Sequence, residues 1–229
     1  MIKAKSLGIP ILRRYSGGGC VYHDLGNVNY SLHCDKSNFN RTFGAQLIID
    51  ALKSHTKSLF LSPRHDIFIK MPNDTSFKVS GSAYKLTRER AYHHGTLLLS
   101  TNLTNINDLL RSSLNIAKPD DKFKFGGVSS VPSPVSNIPG PLRFDECLGL
   151  ISKEFNPTDG IIIVDNTANT RQLIQSYYEE LQSRLWIFGK SPPFKAHLND
   201  GTEIIVESGI IKESSNSELL NKPLEEIIS

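Results

Sequence analysis

Three consecutive glycines, Gly17-Gly18-Gly19, stand near the start of this chain, inside the run Arg13-Arg14-Tyr15-Ser16-Gly17-Gly18-Gly19-Cys20-Val21-Tyr22-His23-Asp24. No core can be packed there. Glycine has no side chain to bury, and its backbone freedom favours an irregular loop that a ligand can approach closely. Two arginines upstream supply fixed charge and forked donors, Ser16 supplies a hydroxyl, and His23 follows. Backbone N–H groups and guanidinium together make a cradle for an anionic, phosphate-bearing ligand. The plainer reading is a loose turn beside a solvated arginine pair. No Gly-Lys-Ser/Thr follows the glycines, and the Gly-x-Gly-x-x-Gly spacing is absent. The run is therefore neither a Walker loop nor the dinucleotide fingerprint.

The 229 residues suffice for one domain, or for one large and one small. A net charge of +3 is too small to argue for nucleic acid. No apolar run reaches bilayer-spanning length, so neither nucleic acid nor membrane is expected as a partner. Cys20, Cys34 and Cys147 are odd in number and unpaired in spacing. They suggest neither a disulfide framework nor a zinc site, and they favour a reducing compartment. Cys20 lies in the glycine segment, where a nucleophilic thiol and a small buried residue are both open readings. No apolar signal core and no Arg/Ser-rich leader precede the motif.

Short strands are expected at Ile9–Leu12 and Cys20–Tyr22, flanking the glycines. Val28–Leu32 alternates apolar and polar, as a half-buried strand does. Phe43, Leu47, Ile48, Ala51 and Leu52 recur at helical spacing and predict an amphipathic helix over Asn40–Ser54. Ile67–Met71 and Ser76–Ser80 flank Pro72-Asn73-Asp74, a hairpin signature. Tyr92–Ser100 reads as another strand. Lys118–Pro141 is rich in Pro, Gly and Ser and reads as a long loop of the kind that often serves as a lid. Beyond it, Phe144, Leu148, Ile151 and Phe155 mark a helix, Gly160–Val164 a strand, and Asn169–Arg184 a helix with Leu173, Tyr177 and Leu181 on one face. Glu203–Val206 and Gly209–Lys212 pair as a hairpin, and Pro223–Ile228 starts a helix. Strands cluster early without strict alternation, which is an α+β pattern with a mixed or antiparallel sheet and flanking helices.

A second constellation is Lys78-Val79-Ser80-Gly81-Ser82-Ala83-Tyr84-Lys85. Its small residues let backbone approach a ligand. Lys78 would set a positive point charge at that surface, able to stabilise a phosphate or a mixed anhydride under attack. An exposed strand lysine is the competing reading. Asp66, after Arg64 and His65, could hold Mg²⁺ beside phosphate oxygens, or be a simple turn residue. His93 and His94 are adjacent in a strand and so face opposite ways, one inward and one toward solvent.

These motifs, together with Tyr92-His93-His94-Gly95-Thr96-Leu97-Leu98, Gly127–Val131 and Trp186–Phe194, resemble the lipoate–protein ligase A and lipoyltransferase family. The likeness runs from about Ile9 to Lys212 and is similar in wording to fungal members. It implies a biotin/lipoate ligase-like catalytic domain over residues 1–190 and an accessory region over 191–229. The chain reads as N-terminally truncated and as cut short in the accessory region.

The resemblance implies that lipoate and MgATP give lipoyl-adenylate, and that the acyl group then passes to a lysine of a lipoyl domain. Arg14, Gly19, Cys20, Val21, Tyr22 and Lys78 resemble the nucleotide contacts, with Lys78 the catalytic lysine. Ser16, Gly17, Gly18, His23, Gly81, Ala83 and His94 look like residues of the lipoate pocket, and Asp66 like the carboxylate near Mg²⁺. Implied acceptors are the lipoyl domains of 2-oxo acid dehydrogenase E2 subunits and the glycine cleavage H protein, and the implied location is mitochondrial. No side-chain nucleophile is needed, which weakens the case for Cys20 as a thiol catalyst. Pro132 and Pro134 replace basic residues of the adenylate loop in bacterial ligases, and His65 replaces asparagine. The alternatives are a lipoyl or octanoyl transferase without its own adenylation, and an inactive fragment acting as a binding module.

Overall fold

The computed structural model describes residue 4 and residues 6–104, 106–110, 115–116, 133–164 and 167–227, with residues 107, 115–116, 168–170 and 173 described at the backbone only. In chain order the elements are β1 (Asn27–Asp35), α1 (Phe43–Ala51), β2 (Leu59–Leu61), β3 (Ile67–Lys70), β4 (Ser76–Ser80), β5 (Ser82–Leu86) and β6 (Arg90–Leu98). There follow α2 (Ile106–Leu110), β7 (Asn115–Ile116), α3 (Phe144–Phe155), α4 (Ala168–Gln182), β8 (Phe194–His197), β9 (Glu203–Glu207), β10 (Ile210–Ser214) and α5 (Leu224–Ile227). Every strand ladder among the described residues is antiparallel, and the class is α+β. No described helix is long and apolar enough to cross a membrane.

The chain folds into two compact units, one formed by Ser16–Ile106 with Ser130–Ile163, the other by Met1–Tyr15, Asn107–Ser129 and Val164–Ser229. The first holds two sheets, ordered β1-β6-β5 and β2-β3-β4. The hairpin between β3 and β4 follows from its turn residues. Asp74 adopts a φ of 67°, and the Asn73 side-chain oxygen accepts from Thr75 N at 3.3 Å and from Thr75 Oγ1 at 2.6 Å, the local bonding that makes Asn and Asp turn formers. Alternation on β6 sends Ala91, His93, Gly95 and Leu97 to the buried face. Ile48, Leu52, Ile67, Ile69, Val79, Leu97 and Cys147 form the centre of the core. Burying each of the larger aliphatic side chains contributes about 1.5–3 kcal/mol. Helix α3 ends at Asn156, which is left-handed at φ 49° and accepts the stop that Pro157 then enforces.

Several expected elements differ. Ile9–Leu12 and Cys20–Tyr22 are irregular, and so is Gly160–Val164, where Ile162 and Ile163 are 88% and 83% exposed. Apolar, β-branched composition supplies strand propensity, but a strand needs a ladder partner, and none pairs with these segments among the described residues. On α3 the buried residue is Cys147, with Leu150 and Ile151 packed beside it, while Phe144, Leu148 and Phe155 are largely exposed. Phe43 is exposed as well, because the buried arc of α1 runs from Gly44 and Ala45 through Ile48 to Leu52. Gly127–Val131, Pro132, Ile228 and most of the expected loop Lys118–Pro141 lie outside the described residues, as does the side chain of Leu173. The described end of that loop is tethered. Ile138 is buried and its N–H bonds Leu98 O at 2.8 Å, and the Asn137 side chain bonds both N and O of Thr101.

In the second unit β10-β9-β8-β7 form one sheet. Phe194, Ala196, Ile204, Val206, Ile211 and Leu224 make its small core.

Candidate active site

Lys78 is placed by an irregularity in the β3–β4 ladder. Ile67 pairs with Ser80, yet Phe68 pairs with Lys78, so one extra residue is accommodated on β4. Such a bulge re-aims side chains. Val79 and Ser80 are both buried, and the Lys78 ammonium donates to Asp66 Oδ2 at 2.8 Å. Lys78 and Asp66 are 23% and 15% exposed, so the pair is largely shielded without being sealed from solvent. The other Asp66 oxygen accepts from Ser82 N at 3.3 Å. The ammonium also lies over Gly81: a Cβ there would sit 3.6 Å from Lys78 Nζ. Gly81 N donates to Thr96 Oγ1 at 3.1 Å. The backbone of Lys78 is clamped on its other side, where Lys78 N donates to Pro134 O at 2.9 Å and Ser136 N donates to Lys78 O at 3.1 Å. Pro134 therefore serves through its carbonyl, a role independent of side-chain charge. His65, beside Asp66, is held at φ 65°, the left-handed region that asparagine accepts more readily than most residues.

On β6, His94 pairs with Ser31 of β1 and Ala83 of β5, and it is half-buried on the face opposite His93. His93 is 3% exposed. Neither of its ring nitrogens has a hydrogen-bond partner among the described residues. Burial first, and then the charges of His94 and His65, push its pKa down to about 4. The folded value lies below the unfolded one near 6.5, so the unfolded chain takes up the proton first. His93 therefore costs no stability above about pH 6.5, and the fold loses about 1 kcal/mol per pH unit from there toward pH 4. Denaturant melts at several pH values check this: His93→Gln should flatten that slope, and an unchanged slope would exclude His93 as its source.

The glycine segment is irregular throughout Ser16–Asp24. Gly18 has a φ of 104°, a value only glycine adopts readily, and Gly17 and Gly18 are exposed. Cys20, Val21 and His23 are also exposed, while Gly19 and Tyr22 are half-buried. Asn27 Nδ2 bonds His23 Nδ1 at 2.9 Å. Asp24 ends the segment by accepting from Gly26 N at 2.9 Å and Asn102 N at 2.7 Å. Arg13, Arg14 and Tyr15 belong to the second unit. Arg13 does not contribute to an anion cradle: its guanidinium donates to Ile187 O, Ser191 Oγ and Lys190 O. Sequence reasoning missed that role, because an arginine beside glycines signals charge and says nothing of carbonyls more than 170 residues away.

No group of three or more His, Cys, Asp or Glu able to hold a metal occurs among the described residues. Asp66 alone fits a magnesium ion carried in by phosphates, since Mg²⁺ commonly takes one protein carboxylate and keeps its waters. Cys147 is buried and its thiol is pushed up to about 11, which leaves it protonated and inert. A shallow cleft of ≈ 530 Å³ lined by Lys57, Phe60, Lys70, Met71 and Pro72 includes none of the motif residues.

Comparison with known proteins establishes the family. The family model of the lipoyl protein ligase A/B catalytic domain matches residues 2–153. A putative lipoate-protein ligase A of Schizosaccharomyces pombe is 34% identical over 226 residues, covering 88% of this chain and 60% of the relative. The mitochondrial lipoyl amidotransferase of Mus musculus is 34% identical over 195 residues, covering 82% of this chain and 50% of the relative. Among solved structures, P. falciparum LipL1 in complex with lipoate superposes with a TM-score of 0.61 at 27% identity, covering 93% of this chain and 64% of that one. The chain thus belongs to the lipoyl protein ligase A/B family, and it spans between half and two thirds of the length of these relatives.

Proposed function

We propose that this chain carries the acyl-activating centre of a lipoate–protein ligase, with Lys78 as its catalytic residue. The observation that carries the reading is the shielded Lys78–Asp66 pair beside Gly81, inside the region matched by the family model. A carboxylate is a poor acyl donor. In the first step a lipoate carboxylate oxygen attacks the α-phosphorus of ATP, and the bond to the bridging oxygen breaks to release pyrophosphate. Lys78 leaves Asp66 for the carboxylate and α-phosphate oxygens, where its charge offsets the negative charge that concentrates in the transition state. In the second step an acceptor lysine amine attacks the acyl carbon, AMP leaves, and the amine proton passes to solvent.

Arg14, Gly19, Cys20, Val21 and Tyr22 are assigned to the nucleotide. Ser16, Gly17, Gly18, His23, Gly81, Ala83 and His94 are assigned to the acyl chain. Asp66 would be the protein ligand of Mg²⁺, which would neutralise phosphate charge. The partners are lipoyl domains of 2-oxo acid dehydrogenase E2 subunits and the glycine cleavage H protein, and the setting is mitochondrial, as in the mouse relative.

The similarity to a lipoyl amidotransferase favours a second reading, transfer from lipoyl-adenylate made elsewhere. Two donors separate the readings. Given an acceptor lipoyl domain, the ligase uses both lipoate with MgATP and preformed lipoyl-adenylate, whereas a transferase uses only the second. Transfer from neither donor, with the protein folded, would leave a binding module.

A further inference from the structure

Arg13 and Trp186 join two motifs in a way that neither motif suggests alone. Leu185–Gly189 is a single π-helical turn, and its end leaves main-chain carbonyls without helical partners. The Arg13 guanidinium fills that end. Nη1 donates to Ile187 O at 2.9 Å and Ser191 Oγ at 2.8 Å, and Nη2 donates to Lys190 O at 2.8 Å. The contact is reciprocal, because Trp186 Nε1 donates to Arg13 O at 2.6 Å and Arg13 N donates to Leu181 O at 3.1 Å. Two residues on, the Tyr15 ring meets Trp186 edge-on with centroids 4.9 Å apart, and its hydroxyl donates to Glu180 of α4. Arg14 lies between these two anchors.

We infer that Arg13 is a positioning residue which, with Trp186 and Tyr15, locks the chain onto α4 and the π-turn and thereby fixes Arg14 for the nucleotide phosphates. This rests on the ligase reading above. Both terminal guanidinium nitrogens of Arg13 point at protein oxygens, so it acts through the chain and not on substrate. Its fork matches three acceptors at once, which a lysine cannot do. Without the lock, the backbone around Arg14 must be ordered each time nucleotide binds, which weakens binding without altering the chemistry that follows.

The test uses the intact protein and reads both the lock and its consequence. Trp186 is the sole tryptophan, so acrylamide quenching of its fluorescence reports the lock directly. Arg13→Ala should raise that quenching and increase KM for ATP about tenfold, with kcat within about twofold of wild type. Arg13→Lys should recover part of the loss. Trp186→Phe, which removes only the indole donor, should raise KM in the same direction and serves if Arg13→Ala fails its melting control. Raised quenching with unchanged KM would overturn the positioning role, as would unchanged quenching in a folded Arg13→Ala. A wild type that neither binds nor uses ATP would bring down the ligase reading and this inference together. A working wild type with indifferent variants sinks the inference alone.

Discussion

Lys78→Ala is expected to slow acyl-adenylate formation about 10³-fold while the protein still melts cooperatively. The structure holds the ammonium both against Asp66 and over the small surface at Gly81. On the proposed mechanism, its removal takes away the charge that stabilises the attacked phosphate. The stability cost is smaller: Asp66 keeps its bond from Ser82 N and some exposure to water, so the loss should be about 1–2 kcal/mol. Single-turnover pyrophosphate release, run beside a thermal melt, separates the two effects. A folded Lys78→Ala protein releasing pyrophosphate at the wild-type rate would remove Lys78 from the mechanism.

Gly44→Ala is expected to destabilise the core beneath the site through a single added methyl group. A Cβ at Gly44 would overlap the His93 ring. That ring cannot retreat freely: Tyr30 meets it edge-on at 5.6 Å and Tyr84 lies at 4.8 Å. The Tyr30 ring in turn covers Gly95, where a Cβ would strike it. The overpacking should cost about 2–3 kcal/mol, a fall of roughly 8 °C in Tm. Combining Gly44→Ala with His93→Ala should return much of that loss, because the new methyl then occupies space the imidazole has vacated. An unchanged Tm in Gly44→Ala would show that α1 does not press on β6 as described.

Elements with local signatures were legible from the amino acids. Pro72-Asn73-Asp74 announced the β3–β4 hairpin, the run Tyr92–Ser100 announced β6, and adjacency in a strand announced the opposite facing of His93 and His94. The glycine triplet announced an irregular, exposed loop. What pattern could not supply was partnership at long range. Ile161–Val164 has the composition of a buried strand but no ladder partner among the described residues. On α3, periodicity marked Phe144 and Leu148, whereas the packed side turned out to be centred on Cys147. The Lys78–Asp66 pair joins β4 to the turn just before β3 and depends on a bulge, so both residues could be nominated from sequence but not joined. Arg13 was read as anion-binding because its true acceptors, the carbonyls of Ile187 and Lys190, carry no signature in a string of side chains.

Mass analysis of an isolated lipoyl domain incubated with the intact protein, lipoate and MgATP tests the central claim most directly. The account predicts one added lipoyl group on a single acceptor lysine, dependent on ATP and lost with Lys78→Ala. An acceptor left unmodified by folded wild-type protein, with both lipoate plus ATP and preformed lipoyl-adenylate, would contradict it.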